Sequence, residues 1–226
     1  MRFTGKTQQR PLELLKYLVA AGGSGVDAEK VMAALWPEAD GAAAKGSFDS
    51  ALFRLRKLID IDNAIDLSSG TISIARTLVW TDLWAFDAAL AHASKGEAPP
   101  ATAARRLLDA YPGPLLGSDE TPWIAKPRDA LRSRFVRALM ELGAALERTG
   151  DWTAAIDVYR RGLEADNLAE SIYRGLMRAL TATGSHAEAL TAYRRCRELL
   201  SIVLGVKPSE ETERLYRDIV ASNARG

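Results

Sequence analysis

The chain has 226 residues, of which 47% are apolar and 26% charged, and a formal net charge of +1. That length and mixture can bury one large core or two small ones, and the near-zero charge excludes a protein that coats nucleic acid indiscriminately, so any DNA contact has to be local. No run approaches the roughly eighteen apolar residues of a membrane span, and Met1–Arg10 is too polar for a signal peptide, so a cytoplasmic protein with no membrane partner is expected.

In chain order, Arg10–Ala21 carries Leu14, Leu15, Leu18 and Val19 at helical spacing and stops at Gly22-Gly23-Ser24-Gly25. Asp27 is placed to cap a short second helix, Ala28–Leu35, which Pro37 keeps from running past Trp36. A third helix runs from about Ala43 to Asp60. Ile65-Asp66-Leu67, the turn Ser68-Ser69-Gly70 and Thr71-Ile72-Ser73-Ile74 then alternate as a hairpin does, and the order is that of a winged helix–turn–helix. Val79-Trp80-Thr81 reads as a return strand, and Asp82 opens a helix, Leu83–Ser94. Lys95–Thr102 breaks the pattern before a helix over Ala103–Ala110. Tyr111–Pro122, rich in proline and glycine, reads as an ordered connector anchored by Trp123, and helix resumes from Pro127.

Leu142–Glu164 repeats itself thirty-four residues later, with ten identities that include Leu142/Leu176, Gly150/Gly184, Ala155/Ala189 and Tyr159/Tyr193. This period is that of a tetratricopeptide-like helical hairpin. Ala155 and Ala189 are small where two helices cross closely, and Tyr159 and Tyr193 fill the gap between units. Gly150 and Gly184 end the first helices. Ser185 with Glu188, and Asn167 with Glu170, have capping-box spacing. Pro208 and Ser209 begin a last helix whose Leu215, Tyr216, Ile219 and Val220 form an apolar lid.

Chemistry is sparse. Cys196 falls where the first repeat has Gly162, and reads as a packed residue. His92 and His186 have no ligand partner one turn away, so no metal is expected. Gly5-Lys6-Thr7 lacks the upstream glycine and strand of a phosphate loop, and no nucleophile sits beside a base, so neither a cofactor nor a catalytic residue is assigned. On the third helix Phe48, Leu52, Leu55 and Ile59 form the core stripe, which leaves Gly46, Ser50, Phe53 and Lys57 opposite it with Asp49 and Arg54 at the flanks. Either Phe53 packs on the wing and the cations solvate the helix, or this face meets DNA, the ring against a thymine methyl and the polar groups against bases and phosphates.

Arg2-Phe3-Thr4-Gly5-Lys6, Arg10-Pro11-Leu12-Glu13-Leu14-Leu15, Ala34-Leu35-Trp36-Pro37 and Leu55-Arg56-Lys57-Leu58 resemble the response-regulator-type winged helix of bacterial activators of the antibiotic regulatory protein (SARP) kind. Trp84-Ala85-Phe86, Tyr111-Pro112-Gly113-Pro114-Leu115-Leu116, Trp123 with Arg128, Ala187-Glu188-Ala189-Leu190 and Leu204-Gly205-Val206-Lys207-Pro208-Ser209 resemble the bacterial transcriptional activator domain that follows it in that family. Two departures stand out. Of the small sheet that opens the family's winged helix only Arg2-Phe3-Thr4 is matched, which fits either a module cut from a longer regulator or a divergent one, and Asn167 stands where the family's repeat usually has proline.

The fold expected is mainly α: a winged helix over 1–80 with a small β-hairpin, then tetratricopeptide-like repeats over 81–226. The resemblance implies a DNA-binding activator, with Ser47, Ser50, Phe53, Arg54 and Lys57 lining the major-groove surface. It also implies self-association on DNA. In the repeat register, Arg137, Met140, Ala144 and Glu147, then Ser171, Arg174 and Arg178, turn toward one groove, suited to an acidic segment of RNA polymerase or of a regulatory switch domain. On the bland reading these arginines pair with Glu141, Glu147 or Glu170. Two rival functions are a protein-interaction scaffold without DNA binding and a sensor that holds a small effector between the domains.

Overall fold

The computed structural model describes residues 9–223. Their contacts fall into two units, one of residues up to Ala85 with Leu115–Asp129, the other of Phe86–Pro114 with Ala130 onward. Arg2-Phe3-Thr4 and Gly5-Lys6-Thr7 lie outside the described residues.

In the first unit, α1 (Gln9–Ala20), α2 (Ala28–Leu35) and α3 (Gly41–Ile59) surround a core of Leu14, Leu18, Val31, Phe48, Leu55 and Ile72. The caps act as the sequence predicts at α2, where the Asp27 carboxylate accepts from the Glu29 and Lys30 amides at 2.8 and 3.4 Å. Asp40 does the same for α3, accepting from the Ala43 amide at 2.8 Å, so that helix begins two residues before its periodicity is visible. The hairpin is β2 (Ile65–Ser68) and β3 (Thr71–Ile74), joined by Ser69 and Gly70 with φ 51° and 78°. Two successive residues in the left-handed region give a tight turn whose twist matches the strands, which is why glycine follows serine here.

Among the described residues the sheet has three antiparallel strands, in the order β1-β3-β2. Its third member is β1 (Val26–Asp27), with Val26 opposite Ile72. The return strand expected at Val79-Trp80-Thr81 does not form. The Leu78 and Val79 amides both donate to the Ala75 carbonyl, which coils the chain after β3, and Trp80 is left 75% exposed.

Trp123 sits in a short 3₁₀ turn, Pro122–Ile124, and its ring meets Tyr17 edge-on with centroids 5.1 Å apart. The Lys16 ammonium lies 2.7 Å from the Asp119 carboxylate. The Arg128 guanidinium donates to the carbonyls of Leu115 at 2.9 Å and Asp119 at 2.7 Å, so Leu115–Asp129 is tied to itself and to α1 by named contacts.

The second unit holds, in chain order, most of α4 (Asp82–Lys95), α5 (Pro100–Asp109), most of α6 (Ala125–Thr149), α7 (Trp152–Ala165), α8 (Glu170–Ala182) and α9 (His186–Leu199), with α7 packed on α8, α8 on α9, and α5 against α7. A final helix, α10 (Glu210–Asn223), follows. Gly150 and Gly184 leave α6 and α8 at φ 76° and 78°, conformations glycine adopts without strain. Ala155, Ala189 and Tyr159 have no exposed surface, as the repeat reading requires. Tyr159 is wedged between two glycines that the repeat does not mark. A Cβ on Gly143 would lie 2.5 Å from its ring, and one on Gly175 2.4 Å. Tyr193 stacks on Tyr216 of α10 with centroids 4.1 Å apart. Ile219 completes the lid while Val220, expected on the same side, points to solvent.

The two capping boxes do not form. Glu188 pairs instead with Arg160 of α7 at 2.8 Å, and the Ser185 hydroxyl accepts from Thr183 rather than from an α9 amide. Glu170 accepts from the amide and hydroxyl of Ser209, both at 2.7 Å, and Asp166 rather than Asn167 makes the local turn, accepting from the Leu168 amide at 3.1 Å. Contacts between helices have claimed both glutamates.

Gly175→Ala should lower the thermal midpoint through overpacking of roughly 1–3 kcal/mol, because the Tyr159 ring has no room to move. Gly46→Ala, in a helix with open space at its Cβ, should be neutral or stabilising by up to about 1 kcal/mol. Equal melts for the two variants would show that the ring is not clamped.

The Lys16 and Thr121 hydrogen bonds hold the Asp119 carboxyl down at about 2, against 3.8 ordinarily. A carboxyl with a lowered folded pKa stabilises above its ordinary value and loses that contribution as pH falls toward about 2. Asp119→Asn should therefore reduce stability at pH 7 and shrink the further loss between pH 4 and 2, as followed by urea unfolding at each pH. An unchanged acid limb would remove this pair from the account.

Candidate nucleic-acid interface and repeat face

The buried stripe of α3 is Ala44, Phe48, Ala51, Leu52 and Leu55, and it fixes what the opposite face presents. Ser50, Phe53, Arg54 and Lys57 are all exposed there, while Ser47 is half-buried at the edge. Phe53 does not pack on the wing. It is 61% exposed, with the Lys57 ammonium 5.1 Å from its ring centroid. Such a cation over the π face restrains both side chains. Lys45, Arg54 and Lys57 have no carboxylate partner among the described residues, so their charge is available to a ligand.

Arg56, on the same helix, has a different use. Its Nε donates to the Ile65 carbonyl at 3.2 Å and ties the end of α3 to the start of β2. The wing itself carries no cation from Ile65 to Ile74. Its turn is ordered by the Ser68 hydroxyl donating to Asp66 at 2.9 Å and the Thr71 hydroxyl donating to the Ser68 carbonyl at 3.0 Å. Arg76, just beyond, stacks on Trp84 at 4.7 Å and donates to the Gly22 carbonyl at 3.2 Å.

On the repeats, the residues expected in one groove are placed differently from each other. Arg178 donates twice to the Glu147 carboxylate, both bonds at 3.0 Å. Glu147 also accepts from the Tyr159 hydroxyl at 2.5 Å. Burial and this carboxylate push the Tyr159 phenol far above its ordinary pKa, and the Glu147 hydrogen bond raises the Arg178 pKa. Arg174 donates to Thr212 at 3.2 Å and pairs with Glu211 at 3.0 Å, which ties α8 to α10. Arg137 remains exposed without a carboxylate partner among the described residues and lines, with Leu90, Leu142 and Arg148, a groove of about 690 Å³ between α4 and α6. Met140 is half-buried nearby in the sequence but does not line it.

Cys196 is buried, and the loss of hydration pushes its thiol up to about 12, which makes it inert. Among the described residues no group of three or more His, Cys, Asp or Glu side chains is placed to hold a metal ion, and no helix is long and apolar enough to cross a membrane.

Residues 81–220, more than half of the chain, match the family described as bacterial transcriptional activator domain. The chain belongs to that family. It is a family of transcriptional regulators, which is not an enzyme class. The chain is 27% identical over 231 residues to the regulatory protein AfsR of Streptomyces griseus and 28% identical over 236 residues to that of Streptomyces coelicolor, with 97% of this chain covered in each case. It spans only 23% and 22% of those proteins. Among solved structures it is similar to Mycobacterium tuberculosis EmbR in complex with a low affinity phosphopeptide, with a TM-score of 0.71 and 24% identity over 96% of this chain and 60% of that one. That likeness carries the fold: a winged helix followed by helical repeats in a mainly α chain.

Sequence reasoning on this activator-domain chain missed Gly143, Gly175 and the role of Arg56. The glycines occupy non-equivalent positions in the two repeats, against Met177 and Glu141, so a comparison of the repeats cannot flag them. Helical spacing did hold the signal for Glu147 and Arg178, one reading of which was an ion pair.

Arg178→Met should leave the Glu147 carboxylate with two hydrogen bonds fewer in a half-buried site and cost about 1–2 kcal/mol, between the values for exposed and buried pairs. Chemical denaturation of the variant beside Arg160→Met, whose pair with Glu188 is exposed, checks this. Equal losses in the two would mean that the Glu147 cluster contributes no more than a surface pair.

Proposed function

We propose that the chain is a DNA-binding transcriptional activator module, in which α3 enters the major groove and the helical repeats engage protein partners. The observation that carries this is the α3 face, where an exposed aromatic ring and unpaired cations stand together opposite a fully apolar stripe. Phe53 offers an apolar edge to a thymine methyl, Arg54 and Ser50 reach base edges or phosphates, Lys57 neutralises a phosphate, and Ser47 contributes at the margin. The family, and the AfsR regulators that the chain matches along 97% of its length, support the reading.

Two copies act together on DNA in this reading. The protein partner is RNA polymerase or a regulatory switch domain. It meets the α6 side of the repeats, where Arg137 is open to an acidic side chain and Met140 adds apolar surface. Arg174 and Arg178, held by Glu211 and Glu147, shape the adjoining α8 face.

Mobility shift with promoter fragments over a salt series tests the DNA contact. Lys57→Ala should weaken binding to all sequences and reduce the slope of log K against log salt by about one. Arg54→Ala and Phe53→Ala should lower affinity and relax preference at the bases they face, by roughly 1–3 kcal/mol for a lost base contact. Unchanged affinity and preference in both would overturn the assignment, and absence of any DNA binding by the parent protein would return the scaffold reading.

A further inference from the structure

One acidic side chain on α3 has no use inside the protein. Asp49 is the ninth of the nineteen residues of α3, exposed, and without a hydrogen-bonded or cationic partner among the described residues. It does not cap the helix, since Asp40 does that through the Ala43 amide. It is too far along to act on the helix dipole, whose effect falls off within the first turn. Lys45 stands one turn back and Arg54 on the flank, and neither pairs with it. Aspartate is also a poor residue for a helix interior, where alanine fits better. Folding alone leaves this carboxylate without a role.

Its neighbours supply one. Lys45, Asp49, Phe53 and Lys57 follow at intervals of four residues and form a single ridge along the exposed side of α3. The cations stand at its two ends, and the carboxylate and the ring, one turn apart, lie between them. Against a duplex such a ridge sets its ends on phosphates and its middle on base edges. A carboxylate in the middle is repelled by the phosphates and by the acceptors that guanine and thymine present in the major groove. It meets a donor only at the exocyclic amino groups of cytosine and adenine. On adenine the free amino hydrogen lies beside N7, whose lone pair repels an anion. On cytosine it lies beside the C5–H edge, which has no lone pair. Cytosine is therefore the base that this side chain selects.

We propose that Asp49 is a specificity-determining residue, accepting a hydrogen bond from the N4 amino group of a cytosine in the major groove. The assignment rests on the reading above that α3 enters that groove. It adds what cations and an apolar ring do not provide: a charge that weakens binding to most sequences and is offset only where the base is right. Discrimination then comes from repulsion as much as from attraction.

Selection of bound duplexes from a random-sequence library of synthetic DNA, followed by anisotropy titrations on the most enriched duplex, provides the test. The parent chain should enrich a C·G pair at one position of its site. Exchange of that pair for T·A, which presents an acceptor in place of the amino group, should weaken binding by at least about tenfold. Asp49→Ala should bind the two duplexes within about twofold of each other, and should hold random duplex more tightly than the parent does. Its thermal melt should stay in place, since the side chain is exposed. Asp49→Asn should move the preference at that position to A·T, because an amide accepts from N6 and donates to N7 of adenine. A carboxylate that is only repelled gives another pattern, in which Asp49→Ala binds every sequence more tightly and enriches the same site as the parent. That result would overturn the assignment, while the Arg54→Ala and Phe53→Ala comparisons still decide whether α3 reads DNA. A parent chain that binds duplex but enriches no sequence would also overturn it. A parent chain that binds no duplex would overturn both readings.

Discussion

The helical repeats depend on one ring having no room. Tyr159 fills the space between α6 and α8 only because position 143 on one side and position 175 on the other lack side chains. Close approach of helices gains dispersion contacts over the whole crossing, but it also buries a phenol hydroxyl, which has to find an acceptor. Glu147 supplies that acceptor. A carboxylate so placed needs a countercharge, and Arg178 of the next unit provides two donors. Two small residues, an aromatic ring, an acid and a base thus form a single dependency that runs across three helices.

A similar dependency closes the repeats at their other end. Glu170 takes both donors of Ser209, and Arg174 reaches Thr212 and Glu211, so the first turn of α10 is held by side chains of α8. Thr212 is fully buried and its hydroxyl accepts from the guanidinium. A lid helix with an apolar face alone can slide along the repeat beneath it. Polar contacts at its first turn give this one a fixed register.

What could be read in the sequence followed from periodicity. The thirty-four-residue repeat gave α6 to α9, and the angular position of Phe48, Leu52 and Leu55 gave the exposed face of α3, Phe53 included. Local rules failed where a distant partner competed. Ser185 and Asn167 have the right spacing for capping boxes, but Glu188 and Glu170 are drawn to Arg160 and Ser209, and no helix-local pattern contains that information. The strand β1 is two residues long, too short to alternate, and exists because β3 offers it an edge. The identities of Arg174 and Arg178 are the same whether a groove is open or closed by ion pairs, and only the positions of Glu147 and Glu211 separate the two.

The hairpin between Ile65 and Ile74 has a consequence for how firmly a single copy can hold a duplex. The hairpin has no lysine or arginine, and the α3 face draws its unpaired positive charge, among the described residues, from Lys45, Arg54 and Lys57. Three phosphate contacts release counterions corresponding to a slope of only about −2.7 in log K against log salt, well short of that of proteins that grip DNA alone. If α3 reads DNA as proposed, so small an electrostatic hold lets the module leave non-cognate DNA quickly. It gains residence mainly where base contacts fit or where a neighbour keeps it in place.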